Sequence, residues 1–231
     1  MARTVLITGA AGHLGRAVAE AFDAEGANLV LLDRERTQLE RAFGADSARR
    51  LLMACDLLDA AQVQAAVDTA LARFGAIDVL CHIAGGFHMG EAVHETSDSS
   101  WDGLLDLNAR TLLHTARAVI PAMLRQGGGK VVSVGAASAL KGVARMGAYT
   151  ASKSVVIRLT EAMAAELRDQ GINVNCVLPT TIDTPDNRRA MPGSDPARWV
   201  APADLAAVIR FLASDAARAV HGAALPVSGL S

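Results

Sequence analysis

Thr4-Val5-Leu6-Ile7-Thr8-Gly9-Ala10-Ala11-Gly12-His13-Leu14-Gly15 runs from a short apolar stretch, through a glycine-rich turn, into a segment of helical period. The first five residues carry two β-branched threonines with Val, Leu and Ile between them, side chains that suit a strand. The glycines let the main chain turn tightly and let another group approach the backbone closely. From Leu14 to Glu25 the apolar residues recur at helical spacing. This is a strand–turn–helix unit, and the rest of the chain repeats its rhythm.

Further strand-like runs lie at Asn28 to Leu32, Leu51 to Ala54, Val79 to Ile83, Lys130 to Val134, Ile172 to Leu178 and Ala223 to Val227. Helical segments lie between them at Glu35 to Phe43, Ala60 to Phe74, Trp101 to Arg125, Tyr149 to Arg168 and Pro202 to Ala213. Runs this apolar are buried on both faces, as in a parallel sheet covered by helices. The expected architecture is an α/β fold, a three-layer doubly wound parallel sheet of Rossmann type with about seven strands. One domain is expected over residues 1–231, with a short lid at about 180–201, where Pro185, Pro192 and Pro196 interrupt the pattern. Ser99 with Asp102 is expected to cap the long helix, and Gly26, Gly75 and Gly171 fall where helices end.

Hydrophobic residues make up 51% of the chain but aromatics only 3%, so the core is built from Ala, Val, Leu and Ile. A net charge of −2 with scattered Lys and Arg forms no basic stripe, which argues against nucleic-acid and membrane partners and for a small-molecule substrate. Cys55, Cys81 and Cys176 lack metal-ligand or disulfide spacing and read as reduced core thiols. Met1 leads straight into the first strand pattern, so the expectation is a cytoplasmic protein without a signal peptide or membrane span.

At the first strand–helix junction, Gly9, Gly12 and Gly15 suit a pyrophosphate lying against the free N–H groups of the helix that follows. Asp33 ends the second strand 18 residues beyond Gly15, where a carboxylate accepts from the adenosine ribose hydroxyls and repels a 2′-phosphate. NAD(H) is therefore the expected cofactor. Arg34 and His13 are positioned to neutralise that phosphate, which keeps NADP(H) as the alternative. Asp56 closes the third strand and reads either as an adenine contact or as a helix N-cap.

Tyr149 and Lys153 stand four residues apart at the start of a helix and so share one face. Together with the Thr8 to Gly15 loop, Ala84-Gly85 after the fourth strand, Asn108 in the long helix, and Pro179 with Thr184, they resemble the short-chain dehydrogenase/reductase family over essentially the whole chain. The resemblance implies an NAD(P)(H)-dependent oxidoreductase in which Tyr149 exchanges a proton with the reacting group and the Lys153 ammonium lowers the tyrosine's pKa. It also implies that Lys153 holds the nicotinamide ribose, that Asn108 pins a water in a proton relay, and that Thr184 meets the carboxamide. Leu14, Leu57 and Thr181 join the same cofactor surface. Such proteins form homodimers or homotetramers, and the Ala-rich faces of the long helix and the Tyr149 helix permit that here.

Two departures stand out. His13 occupies a place where the family's short branch has glycine, and Ala136 stands 13 residues before Tyr149, where the family carries a catalytic serine. Ser138 and Ser133 are the nearest substitutes. Quinonoid dihydropteridine reductases work without that serine, and Gly85-Gly86, Gly135-Ala136, Leu178 to Arg188, Met191-Pro192 and Trp199 resemble them, although those enzymes generally lack the relay asparagine. The substrate is accordingly expected to be a small carbonyl, alcohol or imine compound, walled by Gly86, Phe87, Met89, Ala136, Ser138 and Trp199, with core packing the equal alternative for Phe87, Met89 and Trp199. Two further functions fit the same residues: an NAD(P)-binding sensor or scaffold with impaired chemistry, and lyase or epimerase chemistry on the same fold. His82, His88 and His94 are evenly spaced, but a strand end and its loop do not bring residues six apart onto one face, so no metal is expected.

Overall fold

The computed structural model describes residues 2–231. Seven parallel strands form one sheet: β1 (Thr4–Thr8), β2 (Asn28–Asp33), β3 (Arg50–Ala54), β4 (Val79–His82), β5 (Gly129–Val134), β6 (Ile172–Pro179) and β7 (Ala224–Val227). Their spatial order is β3-β2-β1-β4-β5-β6-β7, so the chain winds outward one way from β1 and then the other way from β4. A ligand crevice opens where the order reverses, outside the carboxyl ends of β1 and β4.

The helices are α1 (His13–Asp23), α2 (Arg36–Phe43), α3 (Ala60–Phe74), α4 (Asp98–Leu105), α5 (Thr111–Gln126), α6 (Gly147–Leu167), α7 (Pro185–Ala190) and α8 (Pro202–Leu212). Side chains of β1 alternate between two cores. Val5 and Ile7 pack with Val18 and Phe22 of α1 and with Leu205 and Ile209 of α8. Leu6 faces the other way, into a core with Val63 and Val67 of α3, Val119 and Met123 of α5, and Leu167 of α6. Apolar residues on both faces are what a covered parallel sheet requires.

The seventh strand departs from this pattern. Leu225 and Pro226 of β7 are exposed, because β7 is an edge strand, where a proline's missing N–H costs no ladder bond. The long helical segment also differs, beginning at Asp98 and breaking into one turn of π-helix at Asp106–Arg110 between α4 and α5. Its cap is Ser97, whose hydroxyl accepts from the Ser100 N–H at 3.1 Å; Ser99 already lies inside the helix. Gly75 ends α3 in the left-handed conformation, and Gly171 does the same for the 3-10 turn Arg168–Gln170 that continues α6, whereas α1 ends at Asp23, before Gly26. Cys55, Cys81 and Cys176 are buried free thiols, as their apolar surroundings imply.

Candidate active site

The turn after β1 is built for close approach. Gly9 has a φ of +63° and its missing Cβ would stand 2.9 Å from the Ala84 main chain, so both conformation and space demand glycine. A Cβ on Gly15 would stand 2.2 Å from the Gly9 carbonyl oxygen, which is how α1 seats directly on the loop. Gly12 caps α1 without a side-chain acceptor, and the first turn holds no carboxylate. The N–H groups and positive dipole end of α1 are therefore left to an anionic ligand.

These groups line a cleft of about 620 Å³ together with Asp33, Arg34, Asp56, Leu57, Ala84 and Gly85, and with Ile182 and Thr184 from the segment after β6. The volume falls in the range of small-molecule sites. Asp33 is fixed by two backbone donors, Ala11 N–H at 2.9 Å and Arg34 N–H at 2.8 Å. Asp56 does not cap α3. That cap is Asp59, which accepts from Ala61 and Gln62, and Asp56 instead accepts from Leu58 N–H beside the cleft. His13 Nε2 lies 3.9 Å from Asp186 of α7, across the mouth of the cleft.

At the β4 end, Asn108 is 1% exposed. Its carboxamide clamps Gly86, accepting from the N–H at 3.0 Å and donating to the carbonyl at 3.1 Å, and it also donates to the Ser152 hydroxyl at 3.0 Å. Ser152 in turn donates to the Tyr149 carbonyl. A Cβ on Gly85 would stand 2.7 Å from Asn108 Oδ1 and 3.0 Å from Lys153 Nζ, so the strand end, the π-turn and α6 converge there. The Lys153 ammonium donates to the Val134 carbonyl at 2.9 Å. Phe87 meets the Tyr149 ring edge-on, with centroids 4.8 Å apart. Beyond Tyr149 a small recess is walled by Met89, Leu104, Arg145 and Met146.

The electrostatics correct one expectation. Burial pushes the Tyr149 phenol up to about 12 and the Lys153 ammonium down to about 8. No lowering of the tyrosine by Lys153 enters here, because desolvation governs both groups; the ammonium gives one of its three N–H donors to Val134 and keeps two.

Several sequence expectations need correcting. Trp199 is buried and lines neither recess, its carbonyl lying against Gly229 near the end of the chain. Pro179 and Thr181 do not line the cleft, where Ile182 joins the expected Thr184; Thr184 also caps α7. Ser133 cannot replace a hydroxyl at 136, because it is fully buried and hydrogen-bonded to Thr160 of α6 at 3.0 Å. Ser138 sits half-buried on the 3-10 turn Ala137–Leu140 after Ala136. His82 is buried between Thr8 and Thr111 and does not join His88 or His94. Among the described residues no cluster of three metal-ligating side chains occurs, and no helix is long and apolar enough to cross a membrane.

The sequence reading missed Leu107 and Thr111, which line the cleft. Leu107 precedes Asn108 within the π-turn, and Thr111 opens α5 directly after it. Ile83 and Leu58, also missed, are simply neighbours of residues already singled out.

Residues 3–194 match the family model for short chain dehydrogenases. The chain belongs to this family. It is an oxidoreductase of the NAD(P)-binding type. It is 34% identical to D-threitol dehydrogenase of Mycolicibacterium smegmatis, over 98% of this chain and 92% of that one. The crystal structure of a 3-ketoacyl-(acyl-carrier-protein) reductase from Brucella melitensis complexed with NADH is 30% identical, with a TM-score of 0.89 over 98% of this chain and 97% of that chain. A levodione reductase structure is 31% identical, with a TM-score of 0.90 over 98% and 96%.

Proposed function

We propose that this short-chain dehydrogenase transfers a hydride between NAD(H) and a small alcohol or its ketone, with Tyr149 exchanging the proton. The observation that carries this reading is the convergence of Lys153 and the Asn108–Gly86 clamp on Gly85, at the inner end of the cleft, with Tyr149 on the same helix. A bound nicotinamide supplies the hydride acceptor or donor. The remaining work belongs to the chain. Gly9, Gly12, His13, Leu14 and Gly15 hold the pyrophosphate, Asp33 holds the adenosine ribose, and Asp56 and Leu57 flank the adenine. Ala84, Gly85 and Lys153 take the nicotinamide ribose, and Thr184 takes the carboxamide. Arg34, exposed and without an ion pair among the described residues, is the group through which NADP(H) would be accommodated.

With its pKa pushed up to about 12, the Tyr149 hydroxyl keeps its proton at neutral pH, the form that acts as acid in carbonyl reduction. Phe87 orients the ring, and Gly86 and Ser138 border the reacting group. The 180–201 segment acts as a lid, since α7 already touches the nucleotide loop through Asp186 and His13. Exposed Leu113 and Leu124 on α5 support a homodimer or homotetramer through that helix.

The names of the relatives, D-threitol dehydrogenase, levodione reductase and 3-ketoacyl reductase, favour an alcohol–ketone pair. A second reading, a planar imine ring such as a quinonoid dihydropterin, is favoured by Ala136, which offers no hydroxyl to a carbonyl oxygen. The test is a turnover screen following NADH absorbance with small diketones, polyols and a quinonoid dihydropterin. Turnover of a ketone or polyol supports the first reading, turnover of the pterin alone the second, and no oxidation or reduction of any panel member contradicts both.

A further inference from the structure

We infer that His82 is a positioning residue, held as the neutral tautomer protonated at Nε2, which bolts the π-turn carrying Asn108 to the end of β1. The inference rests on the proposed role of Asn108 in the active site, but its geometry stands on its own. His82 is 2% exposed, and its two ring nitrogens face two different hydroxyls: Nδ1 is 3.2 Å from Thr8 Oγ1 and Nε2 is 3.3 Å from Thr111 Oγ1.

Each hydroxyl fixes the ring independently. Thr8 Oγ1 accepts from the N–H groups of Ile83 at 3.1 Å and Ala84 at 3.2 Å, which uses both its lone pairs. It must therefore donate its proton to His82, making Nδ1 an acceptor. Thr111 Oγ1 spends its only proton on the Leu107 carbonyl at 2.7 Å. It must therefore accept from His82, making Nε2 the donor. Both deductions select the same tautomer.

The result is one directed chain of hydrogen bonds: Ile83 and Ala84 N–H to Thr8, Thr8 to His82, His82 to Thr111, Thr111 to Leu107. It joins the carboxyl ends of β1 and β4 to the π-turn, one residue before Asn108. An imidazolium would turn a second N–H on Thr8, which has no lone pair left for it. Burial and the nearby Lys153 charge act in the same direction, pushing the ring's pKa down to about 3. A regular helix would give the Leu107 carbonyl and the Asn108 side chain a different rotation, so holding the π-turn holds the clamp on Gly86.

The experiment uses the full-length protein labelled with 15N at histidine and asparagine. Long-range proton–nitrogen correlations should show a His82 ring protonated only at Nε2, unchanged from about pH 5 to about pH 9. Thr111→Val removes the acceptor and leaves the histidine. It should move the Asn108 carboxamide resonance and lower kcat on the order of tenfold. Thr111→Ser restores the hydroxyl and should restore both readings. A ring protonated at Nδ1, or one that titrates in that window, overturns the inference. So does an Asn108 resonance that does not move in Thr111→Val, whatever the activity does. A wild type without turnover contradicts the oxidoreductase chemistry alone, because the two resonance measurements need no substrate.

Discussion

The carboxylate of Asp33, at the end of β2, accepts the backbone N–H of Ala11 in the glycine-rich turn at 2.9 Å. Its other oxygen accepts from Arg34 N–H, so the group cannot swing aside to make room for a 2′-phosphate. NADH should therefore bind more tightly than NADPH by on the order of tenfold or more. Asp33→Asn should cut that ratio severalfold by removing the charge while keeping the shape. Fluorescence titration of both cofactors against both proteins checks this. Equal affinities in the wild type would assign control of the phosphate to Arg34.

Lys153 gives a stability prediction. Its ammonium falls from the ordinary lysine value of 10.5 to about 8 on burial, which at roughly 1.4 kcal/mol per unit costs the folded chain about 3 kcal/mol. One hydrogen bond, to Val134, returns about 1 kcal/mol. Lys153→Met should thus lose activity yet raise the Tm of the cofactor-free protein, by roughly 5 °C. The sign with pH follows. Between about 8 and 10.5 the unfolded chain binds more protons than the native one, so wild-type stability rises with pH across that window. The variant's advantage should be full below about pH 8 and fade above it; thermal melts at three pH values decide the point.

Ala136 is 4% exposed and extended, just before the turn that carries Ser138. If the substrate is a ketone, Ala136→Ser supplies one more donor to its oxygen and should raise kcat/KM, by up to about 10²-fold. If the substrate is a pterin-like ring, the same hydroxyl lacks an acceptor and should reduce kcat/KM by roughly tenfold. Parallel assays on the two substrate classes separate these outcomes.

How far the sequence reached can be followed residue by residue. The five inner strands, β2, β1, β4, β5 and β6, were legible because their runs are mostly apolar, a pattern that needs no tertiary knowledge; the edge strands β3 and β7 were legible as strands but not as edges, since edge position depends on neighbours. The glycine loop and Asp33 were readable because turn geometry and charge are local properties. The π-turn was not, because Asp106 to Arg110 keep a helical composition and nothing local marks the extra residue per turn. The same cause hid Leu107 and Thr111. Trp199 was misplaced because an aromatic near an irregular, proline-interrupted segment reads alike as a pocket wall or as packing, and only the path of the last residues distinguishes them. The rise in the Tyr149 pKa was out of reach, since spacing reveals that a lysine is near but not how deeply the phenol is buried.

The central claim is that Tyr149 exchanges the proton while the cofactor is held by other groups. Tyr149→Phe removes one oxygen from a ring already packed edge-on against Phe87, so the cleft keeps its shape. The most direct measurement is kcat/KM of Tyr149→Phe on the best substrate from the turnover screen, beside its NADH Kd. The account predicts a loss of about 10²-fold or more in kcat/KM with a Kd within about threefold of wild type. Turnover close to wild type by the phenylalanine variant would contradict it.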